Sequence, residues 1–236
     1  MIATYGIFFI IGIVLALFGI IFFYVKERFP TPLNPILGAL VKKPEYGKVF
    51  ASACITTGII IWFVSVPYSG LNVLILIAFI FTFPGDFILS RDLTKLFLAI
   101  PLFAVAYMLM AVRGLYVVFN GPVDVLALVL CLVVSIITIV AIILRYVVKL
   151  SPQAMKIATG IYSVVEWTVL FSGLALIFVN FALIPGIGMI LFVIGDVIAV
   201  INLNSPINIK NKPVYDLAGG IIYFAGLFSI ALYFTL

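Results

Sequence analysis

Residues 125–144 read VLALVLCLVVSIITIVAIIL, twenty positions without a charge and with only Ser135 and Thr138 as hydroxyl side chains. A helix rises about 1.5 Å per residue and a bilayer core is about 30 Å thick, so this stretch has the length of one crossing. It is apolar all the way round, as a helix surrounded by lipid or by other apolar helices must be.

The same pattern recurs on both sides. Apolar runs at residues 5–24, 49–66, 71–89, 93–112, 123–148, 152–179, 183–201 and 215–236 predict an all-α fold. The expected architecture is a polytopic membrane helix bundle of about eight transmembrane helices, with residues 1–236 as a single integral membrane domain. The first run lacks a basic leader and a small-residue cleavage site, so it is expected to stay as a helix of the mature fold. Residues 25–48 form the one long connection, where Pro30, Pro32, Pro35 and Pro44 break a regular helix while Ile36, Leu37, Leu40 and Val41 stay apolar. It is expected to lie in the membrane interface.

Composition narrows the function classes. Of 236 residues 66% are hydrophobic and 9% charged, which excludes a soluble protein and leaves no length for a folded extramembrane domain. There is no histidine, so the commonest zinc ligand and the usual neutral-pH base are both missing, and no metal or cofactor is expected. Cys54 and Cys131 stand alone in apolar runs and read as core packing.

The net charge of +5 gathers in and beside the connections between runs. Lys26, Arg28, Lys42, Lys43, Lys48, Arg91, Lys95, Arg145, Lys149, Lys156, Lys210 and Lys212 fall in or at the edges of odd-numbered connections, and Arg113 alone falls in an even one. The positive-inside rule accounts for this pattern without a nucleic-acid partner. It places the odd connections in the cytoplasm and both termini outside it, in the cell membrane most simply. Tyr5, Tyr24, Tyr68, Tyr116, Tyr215 and Tyr233, near run ends, suit an interfacial anchoring belt.

An ionisable group in hydrocarbon costs at least about 2.5 kcal/mol, so acids inside the runs are the candidates for chemistry. Three qualify: Asp86, Glu166 and Asp196. Asp86 follows Gly85 in FPGDFIL and Asp196 follows Gly195 in VIGDVIA, so one Gly-Asp pair occurs in the third run and one in the seventh. Runs four apart point the same way, which gives both aspartates a similar depth and allows them to face each other. The spacing also fits two four-helix halves related by a parallel repeat. Each glycine removes a side chain beside its carboxylate, so a neighbouring helix or a lipid headgroup can come close. Glu166, mid-run beside Tyr162 and Trp167, is expected to point into the bundle and to be hydrogen-bonded or protonated. Asp92, Asp124, Asp216, Glu27 and Glu45 sit at run ends or in connections, where capping and solvation explain them.

These residues resemble the lysoplasmalogenase-like YhhN family of eight-span membrane proteins. In the seventh run Gly188, Phe192, Gly195 and Asp196, followed by Asn202, resemble the family's pattern of glycine, phenylalanine, small residue plus aspartate, and asparagine. Gly85 and Asp86 look like its first Gly-Asp motif, and Lys43-Pro44 resembles its Lys-Pro entry. The chain departs from the pattern at Tyr107, where members often carry histidine, and at Gly226, where glutamine is common; Tyr223 fits.

The resemblance implies a membrane hydrolase that cleaves the vinyl ether bond of lysoplasmalogens to a fatty aldehyde and a glycerophospho-base. Its partners are then membrane lipids and a lysophospholipid substrate. Asp86 and Asp196 are the catalytic acid/base pair on this reading, with Gly85, Gly195, Asn202, Tyr107, Tyr223 and Glu166 in contact with substrate. Arg91, Lys95, Lys210 and Lys212 at the same mouth can hold its phosphate or can be topology signals alone. A catalytically silent family member is one alternative. A non-enzymatic lipid-binding protein or small-solute transporter using the same aspartates is another, and Pro84 and Pro185 would then mark broken helices.

Overall fold

The computed structural model describes residues 45–65, 70–91, 96–150, 153–204 and 212–235, together with positions 7, 11 and 14. Its described segments contain seven α-helices and no strand: α1 Glu45–Ser65, α2 Asn72–Arg91, α3 Leu96–Asn120, α4 Val125–Arg145, α5 Gln153–Phe178, α6 Leu183–Asn204 and α7 Lys212–Thr235. A 3-10 turn, Val147–Lys149, follows α4. The protein is a bundle of apolar helices, and four described segments are long and apolar enough to cross a membrane: Phe97–Asn120, Val125–Lys149, Gln153–Phe178 and Leu217–Phe234. Within α1, α2 and α6 the apolar segments are shorter, at Ser52–Val64, Asn72–Ile88 and Leu183–Ala199. The first expected run, 5–24, lies outside the described residues except for Ile7, Ile11 and Val14, which are helical and exposed.

Local chemistry sets the helix ends. Asp124 caps α4, its carboxylate accepting from the Leu126 and Ala127 backbone N–H groups, so its expected role as a cap holds. Arg145 in the last turn of α4 complements the negative end of the helix. Residues 45–48, expected to end the long connection, instead open α1; the rest of that connection lies outside the described residues.

The helix expected to stop at residue 112 continues as α3 through Arg113 to Asn120. Arg113 stays inside because its guanidinium donates to Asn72 Oδ1 (3.3 and 3.1 Å) and lies over the rings of Tyr116 and Phe234, at 5.8 and 4.9 Å. The broken helices attached to the transport alternative are not seen: α2 runs continuously through Pro84, and Pro185 falls in the first turn of α6.

The packing order is α1 on α2, α2 on α3, α3 on α5, α5 on α6 and α6 on α7, with α4 outside against α5. Contacts fix the directions. Asn72 meets Arg113 and Gly85 meets Phe103, so α2 and α3 are antiparallel; Tyr107 meets Asp196 and Gly114 meets Met189, so α3 and α6 are antiparallel too. Helices α2 and α6 therefore run the same way, as their places in the chain require.

Small residues bring the backbones together. A Cβ at Gly226 would stand 2.7 Å from Phe192 N and 2.8 Å from Gly188 O, and one at Gly195 would stand 3.0 Å from Tyr223 Cα. On the other side of α6, a Cβ at Gly186 would stand 2.7 Å from Gly173 O of α5. Hydroxyls add interhelical bonds, Ser172 Oγ to Ala111 O (3.3 Å) and Thr56 Oγ1 to Phe79 O (3.4 Å) among them. In α4 only Cys131, Ser135 and Ile139 are buried, a four-residue repeat that marks one contact face, with the rest of that helix half-buried or exposed.

Candidate functional site

Asp86 lies five residues before the end of α2 and Asp196 eight before the end of α6, depths of about 8 and 12 Å from those ends at the usual helical rise. The tyrosines that meet them come from helices running the opposite way: Tyr107 on α3, Tyr162 on α5 and Tyr223 on α7. Side chains on a helix lean toward its N-terminus, so the acids lean inward and the tyrosines lean back toward the same membrane face. Opposed helices thus bring carboxylates and phenols into one layer.

Asp196 Oδ2 accepts from two hydroxyls at once, those of Tyr107 and Tyr162, the second at 2.5 Å. Its Oδ1 takes no hydrogen bond among the described residues. Asp86 accepts from Ser52 Oγ of α1 at Oδ2 (2.5 Å) and from the Tyr223 hydroxyl at Oδ1 (2.8 Å). Bonds of this kind, from a neutral hydroxyl to a carboxylate, are short and strong for their class.

The two halves join through aromatic rings. Phe192, one turn before Asp196, is fully buried between Tyr107 and Tyr223, with centroids 4.5 and 4.9 Å away. Tyr107 in turn lies 5.5 Å from Tyr162. Tyr223 bonds Asp86 and also interacts electrostatically with Asp196 and Tyr107, so it belongs to both halves.

Gly195 does what its place beside the aspartate suggested, since the α7 backbone at Tyr223 lies against it. Gly85 differs in kind: a Cβ there would stand 2.8 Å from the ring tip of Phe103, a side chain rather than a backbone. Gly226, where the resemblance leads one to expect glutamine, has no room for any side chain between Phe192 N and Gly188 O.

Tyr107, at the position where histidine was the resembled residue, is completely buried and serves as a donor to Asp196. Glu166 is 2% exposed and points into the bundle, where it interacts with Asp196, Tyr107 and Tyr162. The hydrogen bonding expected for it is absent at one oxygen, because its Oε1 has no partner among the described residues. The neighbouring Trp167 turns away, its Nε1 donating to Ser135 Oγ of α4 at 2.9 Å.

The side chains of Asn202, Arg91, Lys95, Lys210 and Lys212 lie outside the described residues. Sequence reasoning did not single out Ser52 as part of the site and noted Tyr162 only as a neighbour of Glu166. Tyr162 precedes Glu166 by four residues, which puts both on one helix face, and that spacing was the available signal. Comparison of the chain with family models, with curated proteins and with solved structures finds no match.

Proposed function

We propose that this protein is a membrane-embedded hydrolase of the lysoplasmalogenase-like YhhN type, with Asp86 and Asp196 as its acid/base pair. The observation that carries the reading is the convergence of the two carboxylates, each held by tyrosine hydroxyls, on one buried aromatic layer. All seven described helices are read as crossings. An eighth is formed by residues 5–24, supported by the helical Ile7, Ile11 and Val14, which share one face. The basic connections are then cytoplasmic, both termini are extracytoplasmic, and the site opens toward the cytoplasmic side of the cell membrane.

Vinyl ether hydrolysis starts with delivery of a proton to the β-carbon, which leaves an oxocarbenium ion. Water adds to that ion and loses a proton, and the resulting hemiacetal separates into an aldehyde and an alcohol. The reaction needs one carboxyl to donate and one carboxylate beside the cation, a division of labour that low-dielectric carboxyl pairs perform elsewhere. In this protein the partners that fix the two acids differ, Ser52 and Tyr223 for Asp86 against Tyr107 and Tyr162 for Asp196. The alkenyl chain lies between helices, and substrate contact falls to Gly85, Gly195, Tyr107, Tyr223, Asn202 and Glu166.

The test is to incubate the purified protein in detergent with a panel of lysolipids and to measure aldehyde. Release from the alkenyl lysolipid, and none from its acyl and alkyl counterparts, is the expected result. Absence of aldehyde from every lysolipid overturns the hydrolase and gives the site to lipid or solute binding.

A further inference from the structure

Glu166 and Asp196 interact inside the bundle with very different surroundings. Two phenolic hydroxyls converge on Asp196 Oδ2, whereas Glu166, 2% exposed, leaves Oε1 without any donor. Among the described residues no cation interacts with the pair: α3 faces it with Tyr107, α5 with Tyr162, α7 with Tyr223 and α6 with Asp196 itself, while α4 offers the uncharged Ser135 to the adjacent Trp167. Asp196 is the one charged side chain that interacts with Glu166 among the described residues.

Two like charges in a low-dielectric interior cannot both persist when one of them has no donor. A single proton resolves the conflict, and it costs least on the carboxyl that has an oxygen without a donor. Tyr162 and Glu166 stand one turn apart on α5, a rise of about 6 Å, so the phenol that bonds Asp196 sits on the same face as the glutamate.

We propose that Glu166 and Asp196 form a buried proton-binding site, in which one proton is held by Glu166 and exchanges with Asp196 past the Tyr162 hydroxyl. In this exchange the O–H bond on Glu166 breaks as one on Asp196 forms, and the negative charge moves the opposite way. The site takes a proton whether or not the protein hydrolyses lipids; where the hydrolase reading holds, it reloads Asp196 between turnovers.

Infrared spectroscopy of the full chain in lipid nanodiscs at neutral pH reads the proton directly. The expected spectrum contains the carbonyl stretch of a protonated carboxyl that shifts in D2O; Glu166→Gln removes the band, and Glu166→Asp keeps it at an altered position. Circular dichroism confirms that each variant is folded, and if Glu166→Gln is not, the Glu166→Asp shift decides alone. Absence of the band in the wild type, its persistence in Glu166→Gln, an unmoved band in Glu166→Asp, or its loss on adding sodium ions, which would make this a cation site, each overturns the proposal. Aldehyde release plays no part in the readout, so a silent enzyme and a wrong proton site are told apart.

Discussion

The Tyr107 hydroxyl donates to Asp196 Oδ2 from a side chain with no exposed surface. The position is thus a built donor, and replacing it leaves the aspartate with Tyr162 alone. Tyr107→Phe is expected to lower stability by about 1–2 kcal/mol, the range for a buried bond to a charged group with one donor remaining, as measured by thermal unfolding in detergent. A melting temperature equal to that of the wild type would show that the bond contributes nothing.

Asp86→Asn and Asp196→Asn each keep volume and hydrogen-bonding capacity but cannot transfer a proton. Each is expected to lower lysoplasmalogen hydrolysis by about 10²–10⁴-fold, the usual scale of general acid–base catalysis. The double variant should be little slower than either single one if the pair acts as a unit. Aldehyde-release kinetics check this, and a single variant retaining more than about a tenth of the wild-type rate, less than that scale allows, refutes the pairing.

Gly226→Ala puts a methyl group 2.7 Å from a backbone nitrogen and 2.8 Å from a backbone oxygen, neither of which can swing aside. It should cost about 1–3 kcal/mol, as overpacking does. Gly160→Ala, on α5 with nothing within 4 Å of its added Cβ, should instead be neutral or stabilise by up to about 1 kcal/mol through helix propensity. Parallel melting curves of the two variants give the comparison, and equal effects would show that α6 and α7 are not in close contact.

Orientation is open to direct measurement. In a background with Cys54 and Cys131 replaced, a cysteine at Gly121, between α3 and α4, is expected to react with a membrane-impermeant reagent added outside intact cells. One at Val148, in the exposed turn between α4 and α5, is expected to react only after the cells are opened. The reverse pattern would invert the topology assigned from the basic loops.

The fold was largely legible because apolar length and helix-end chemistry are local. Asp124 is recognisable as a cap from its place before an apolar run, and it caps. The end of α3 was not legible: a charge at residue 113 reads as a boundary until Asn72, 41 residues earlier, is seen to hold it. The site divides the same way. Asp86, Glu166 and Asp196 stand out as acids among apolar neighbours, but their partners are set by helix packing. Ser52 and Tyr162 reach their aspartates across 34 residues each; Ser52 does not differ by sequence from other hydroxyls in apolar runs, and the spacing of Tyr162 to Glu166 marks a shared face without pointing to Asp196. The glycines at 188 and 195 on α6 and at 219 and 226 on α7 each repeat at seven residues, a spacing that gained meaning only once packing brought the two helices together.

The bond from Tyr223 to Asp86 spans 137 residues. A chain inserted into the membrane from its N-terminus makes the α5–α6 half of the site, including Tyr162 and Asp196, before α7 leaves the ribosome. Asp86 spends that interval in the bilayer with Ser52 but without its tyrosine. The layer is therefore incomplete until α7 is in place, and a nascent chain halted before α7 would lack the Tyr223 bond to Asp86. Docking of α7 is the step that completes the layer.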